Sequence, residues 1–191
     1  MEIRRLEFET VEEIYHNHLV FDFIEAEQKP LDFMKRLYEK GLYECFGLYD
    51  QGEFRGYAFF CKSSDDSTSV LLDYYVVVNG HRGQGTGSRF MDLLKQEYKD
   101  YDQIIGEVEV VDPKLDAKEY EIRKRRQNFY FKNQWVMTEL DVTLFGEELN
   151  IYQLPIRKKA EDEVIYQKLN HIYDVLFREP EVRKQVNLRH K

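Results

Sequence analysis

Two rhythms of apolar and polar residues alternate along this chain, one of period two and one near 3.6, and the changes between them mark out its elements. Ile3 to Phe8 reads as a first strand, after which Thr10 caps a helix from about Val11 to Phe23. Pro30 opens a second helix at its tolerated first turn and Gly41 ends it. Tyr43 to Tyr49 and Phe54 to Cys61 are strands, joined at Asp50-Gln51-Gly52, a hairpin signal. A long, nearly continuous apolar strand follows from Thr68 to Val78. From Gly87 to Asp100 the rhythm is helical, with Phe90, Leu93, Leu94 and Tyr98 on one face. Gln103 to Val111 is a fifth strand closed by Asp112-Pro113, residues 114–119 are a loop, and Glu119 to Asn133 is a helix. Val136 to Leu144 and Glu148 to Leu154 are strands around Gly146. From Lys158 to Phe177, Val164, Ile165, Leu169, Ile172, Tyr173 and Leu176 recur at helical spacing. Pro180 stops that helix, and the charged stretch Glu181 to Lys191 is expected to fray. The pattern predicts one mixed α/β domain with a C-terminal helix appended.

Composition narrows the partners. Over 191 residues, 42% hydrophobic and 34% charged, the chain suits one domain with a sizeable core. Aromatic residues make up 15%, so any single tyrosine is structural by default. A net charge of −8 argues against nucleic acid and favours cationic acceptors such as amines. The N-terminal residues lack the apolar core of a signal peptide, and no long apolar run suggests a membrane span. If Asp50 opposes Glu53 across the hairpin, Cys45 faces Ala58 rather than Cys61 and the two thiols point to opposite faces. They are then free and reduced, which suits the cytoplasm. No Cys/His spacing suggests a metal; His16 and His18 stand two apart, on different faces of a helix.

The chemistry concentrates in Arg82-Gly83-Gln84-Gly85-Thr86-Gly87, between the strand ending at Val78 and the helix that follows. Strand, glycine-rich turn and helix present unpaired N–H groups and a positive helix end to an anion. The glycines let backbone approach a diphosphate and adopt positive φ, and Arg82 adds a planar donor fork. No Gly-Lys-Ser/Thr follows, which argues against a Walker-type loop. A dinucleotide fingerprint fits poorly, since its last position falls on Ser88 or Phe90, although Glu107 lies where a ribose-binding acid would. That reading stays open as an alternative.

Val77-x4-Arg82-x-x-Gly85-x-Gly87 resembles the acyl-CoA-binding motif of the GNAT superfamily of N-acetyltransferases. A second match lies in Arg125-Arg126-Gln127-Asn128-Phe129-Tyr130-Phe131-Lys132-Asn133-Gln134-Trp135, similar to that superfamily's Phe-Tyr-x-x-x-Gly-Phe. Gln134 stands where the glycine is usual, and Asn133 could supply the left-handed cap instead. The resemblance covers roughly residues 1–156 and implies a central, mostly antiparallel sheet of about seven strands flanked by helices. Residues 157–191 are then a helical extension, packed on the domain or serving a homodimer contact.

The resemblance also implies the site. The turn Arg82, Gly83, Gln84, Gly85, Thr86, Gly87 would hold the pyrophosphate of acetyl-CoA, and the backbone of Val76, Val77 and Val78 would pair with the pantetheine arm. Tyr130, a phenol that stays protonated at neutral pH, is the candidate acid for the departing thiolate. Glu107 and Glu109 share one face of the fifth strand and are candidate bases, with Glu109 slightly preferred. Two close carboxylates there are expected to raise one another's pKa. The basic run Arg123-Lys124-Arg125-Arg126 reads as a solvated face with one residue available to phosphate. Glu25 and Glu27, bordering the acceptor side in such a fold, could attract a cationic amine. The reading is an N-acetyltransferase moving acetyl from acetyl-CoA to a small-molecule primary amine by direct attack, without metal. The alternatives are a protein amine as acceptor, or a non-catalytic acyl-CoA-binding or interaction protein.

Overall fold

A computed structural model describes all 191 residues. Eight strands form a single sheet, β1 (Glu2–Arg5), β2 (Tyr43–Asp50), β3 (Glu53–Cys61), β4 (Ser69–Val77), β5 (Gln103–Glu109), β6 (Val136–Leu144), β7 (Glu147–Pro155) and β8 (Val186–His190). Their order is β1-β2-β3-β4-β5-β7-β6-β8, and every pairing is antiparallel except β4 with β5. Helices α1 (Phe8–Ile14), α3 (Leu31–Glu39) and α6 (Asp162–Leu176) contribute to the core on one face, while the short α2 (Val20–Asp22), which continues from α1, buries no residue. On the other face α4 (Thr86–Glu97) buries Phe90, Met91 and Leu94, beside α5 (Ala117–Lys132). No helix is long and apolar enough to cross a membrane.

The first helix differs from the pattern. It begins at Phe8, with Glu7 and not Thr10 at the N-cap, because Phe8, Val11 and Ile14 form the buried stripe. Tyr15–Leu19 then widens into a π-helical turn before α2, so the chain stays helical to Asp22. At α5, Asp116 accepts from the N–H groups of Lys118 and Glu119, which starts the helix inside the expected loop.

The hairpin turns at Gln51 and Gly52, both at positive φ, as tight right-twisted hairpins require. Asp50 does oppose Glu53, but an irregularity at Leu48/Tyr49 shifts the register beyond it. Cys45 therefore pairs with Phe59, and Cys45 and Cys61 lie buried in the same core cluster, not on opposite faces. They are free thiols.

The charged tail is ordered as well. A short helix α7 (Pro180–Arg183) leads into β8, which pairs with the outer edge of β6 and makes eight strands where about seven were expected. Val186 and Leu188 alternate into the core, while Arg189 pairs with Asp141 and Glu148. Pairing with β6 and burial of those two apolar residues, with the ion pairs beside them, hold as a strand a segment whose charge suggested fraying.

Candidate functional site

The parallel pair holds together only from Ser69 opposite Gln103 to Leu72 opposite Gly106. Beyond that point β4 continues beside β3 to Val77 and β5 beside β7 to Glu109, so the two strands part in the middle of the sheet. The parting coincides with a bulge: Phe60 opposes Leu72 and Phe59 opposes Tyr74, leaving Asp73 as the extra residue. Asp73 and Tyr74 consequently reach the same set of partners around Lys29 although they are consecutive. Val76 is buried at the end of β4, with Val77 and Val78 half-buried beyond it.

Behind the parted strands lies the glycine turn. Gly80, Gly83 and Gly85 take φ of 90°, 81° and 81°, and a Cβ on any of them would meet nothing within 4 Å. Gly85 is the N-cap of α4 and contributes no side-chain hydrogen bond, so the N–H groups of the first turn are left to face the turn's open side. Gly87 is already helical, and its bare Cα admits Phe129, whose ring would lie 3.1 Å from a Cβ there. Arg82 lies over the strand end, its Nε donating to the Val77 carbonyl at 2.7 Å and its Nη2 3.7 Å from Asp22 Oδ1. Gln84 is exposed and Thr86 buried. The residues present fit a diphosphate: an open backbone cradle, a helix N-terminus and one guanidinium.

Tyr130 sits on the α4 side, half-buried against Trp135, Tyr152 and Phe129. Burial pushes its phenol up to about 12, with Arg126 acting against the rise. The helix carrying it ends as its sequence motif requires, though not at the expected residue. Gln134 itself adopts the left-handed conformation, φ 70°, while Asn133 stays at −93° and caps through its amide to the Phe129 carbonyl.

Glu107 and Glu109 go to different partners. Glu109 forms an ion pair with Arg126 of α5. Glu107 accepts from the Tyr173 hydroxyl of α6 and has its carboxyl raised to about 7, first by burial and then by the Asp73 charge, against the Tyr173 hydrogen bond and Lys29. The like-charge neighbour is thus Asp73 and not Glu109, because Arg126 holds Glu109 elsewhere. Lys29 Nζ lies 2.6 Å from Asp73 Oδ1, and the Tyr43 hydroxyl donates to the other Asp73 oxygen. Tyr74 fixes the backbone there, accepting from Lys29 N at 2.9 Å and donating to the Glu27 carbonyl at 2.6 Å.

Sequence reasoning missed Lys29, Tyr43, Asp73 and Tyr173. The one visible signal was Asp73, the lone charge in the apolar run Val70 to Val78. The basic run behaves as surface: Arg123 pairs with Glu119, Arg126 with Glu109, and Arg125 faces solvent. Glu25 and Glu27 are exposed. A sheet parted in its middle, with an open anion cradle behind it, a phenol on one face and a half-buried carboxyl on the other, can hold a long phosphorylated thioester and move protons at its reactive end.

Comparison with known proteins agrees with this geometry. The sequence profile described as the Acetyltransferase (GNAT) family matches residues 8–120, more than half of the chain. A Bacteroides thetaiotaomicron chain described as a GNAT-family acetyltransferase superposes with TM-score 0.72 at 17% identity, over 92% of this chain and 97% of that one. A spermidine N-acetyltransferase chimera built in part from Vibrio cholerae protein gives 0.60 at 14% identity, over 82% and 96%. An aminoglycoside 6′-N-acetyltransferase complexed with coenzyme A gives 0.59 at 14% identity, over 84% and 100%. No curated protein matches by sequence. The fold, the parted strands and the matched profile together make this chain a member of the GNAT acetyltransferase family.

Proposed function

We propose that this chain transfers acetyl from acetyl-CoA to a small-molecule primary amine by direct attack. The observation that carries the reading is the opening between β4 and β5, flanked by the glycine cradle, Tyr130 and Glu107. The first-turn N–H groups of α4, the backbone of Gly83 to Gly85 and Arg82 would bind the diphosphate. Val76, Val77 and Val78 would offer their backbone to the pantetheine arm as a neighbouring strand does. Bound acetyl-CoA supplies an activated thioester carbonyl. A backbone N–H at the end of β4 is suited to stabilise the charge that develops on that oxygen.

Of the two carboxylates, Glu107 is the better base. Its carboxyl near 7 is poised to take a proton from an ammonium group at working pH, whereas Glu109 is engaged by Arg126. Tyr130, with its phenol near 12, keeps its proton across that range and can donate it to the leaving thiolate. Spermidine and aminoglycosides, named as substrates for two of the structural neighbours, are both multiply charged amines, and the net charge of −8 suits such an acceptor.

Calorimetry of acetyl-CoA binding to wild type and Gly85→Glu is the direct test. Wild type is expected to bind, and the variant to lose binding, because a side chain there fills the open cradle with negative charge. Thiol release across a panel of spermidine, an aminoglycoside and a peptide with a free N-terminus then assigns the acceptor class. Binding with no turnover of any amine would count for an acyl-CoA-binding protein instead.

A further inference from the structure

The group that holds Glu107 comes from beyond the matched family region. Tyr173 lies on α6, while the profile ends at residue 120. Ile165, Leu169 and Ile172 anchor α6 in the same buried cluster, and the Tyr173 ring is fully buried, packed against Phe177 with the Arg183 guanidinium 5.9 Å from its centroid. From that fixed ring the hydroxyl donates to Glu107 Oε1. The other groups near Glu107 are Lys29, from the connection before α3, and Asp73 of β4, with the Tyr43 and Tyr74 hydroxyls behind them. A phenylalanine would fill the same core volume. The hydroxyl has one partner, and that partner is the candidate base.

We infer that Tyr173 is a positioning residue for acetyl transfer, the α6 phenol fixing Glu107 through Oε1 so that Oε2 is left to take the proton of the attacking amine. The inference rests on Glu107 as the base. It makes the C-terminal helix part of the active site: the N–H bond of the ammonium breaks, its proton goes to Glu107, and Tyr173 keeps its own proton throughout. Buried beside a carboxylate, the Tyr173 phenol is held well above its ordinary range, so it acts as a donor only.

The experiment compares wild type, Tyr173→Phe and Glu107→Gln. Thiol release from acetyl-CoA is followed from about pH 5.5 to 9.5, with spermidine as acceptor and with water alone, beside carbon-13 NMR titration of glutamate carboxyls. The resonance that disappears in Glu107→Gln identifies the group. Loss of the donor removes stabilisation of the carboxylate, so the acid limb and the NMR midpoint in Tyr173→Phe should both rise by about one pH unit. The rate at pH 6 should fall about tenfold and recover by pH 9, with KM unchanged. An unmoved NMR midpoint, or a rate lowered by the same factor at every pH, overturns the inference. Should neither acceptor turn over, the NMR midpoint alone decides. An acid limb that persists in Glu107→Gln sinks the base reading itself, whatever Tyr173→Phe does. Replacing Tyr173 by 3-fluorotyrosine, a stronger donor of the same shape, should move the midpoint down and guards against a Phe variant that misfolds.

Discussion

Burial raises two side chains beside the parted strands, and only one of them titrates in the working range. Tyr130, with its phenol near 12, stays protonated through the working range, so Tyr130→Phe should lower kcat 10²- to 10⁴-fold without raising KM for acetyl-CoA. Thiol-release kinetics check this, and an unchanged kcat removes Tyr130 from the acid role. Glu107 has a folded value of about 7 against an ordinary 4.5, so between those values the folded protein binds the extra proton. Its contribution therefore favours the folded state at low pH and is lost as pH rises through about 7, by up to about 3 kcal/mol. Denaturant unfolding should show the difference in stability between Glu107→Gln and wild type growing over that window in favour of the variant. Tyr130 and both glutamates, whose roles remain proposals, were legible as candidates from motif and alternation. What a carboxylate meets was not: Arg126, Lys29 and Tyr173 approach from other elements, and Lys29 stands 44 residues from the Asp73 it pairs with.

Elements were readable where one rhythm ran uninterrupted, as in α3, α4 and α6. What stayed out of reach was register: the β2–β3 hairpin was misread at Cys45, because a single residue breaks the count there. The π turn at Tyr15–Leu19, the bulge at Asp73 and the shift at Leu48/Tyr49 each insert one residue, and no local composition announces it. The end of α5 offers a direct test at this scale. Gln134 holds φ 70°, a conformation glycine adopts without penalty, so Gln134→Gly should stabilise by about 1 kcal/mol. Thermal unfolding should show a rise of about 2–4 °C for a chain of this size, less whatever the Lys95 contact to the Gln134 amide contributes.

At the scale of the molecule, the order strand, glycine turn, helix, strand and aromatic helix was enough to place the fold. The eighth strand was hidden because edge strands carry charge to discourage pairing with other chains, and that charge resembles a frayed tail. Leu188→Asp should strip β8 from β6 and lower the unfolding temperature, with self-association by light scattering as the newly bared edge pairs. The shifted hairpin has a different use. Because Cys45 and Cys61 are fully buried, with burial raising both thiols, neither can meet an alkylating reagent until the central sheet opens. The rate of their labelling is thus a clock for that opening, present without any engineered label. If the opening abolishes the acetyl-CoA site, the donor at 100 times its Kd should slow the clock about a hundredfold, reporting occupancy of a cradle that contains no cysteine.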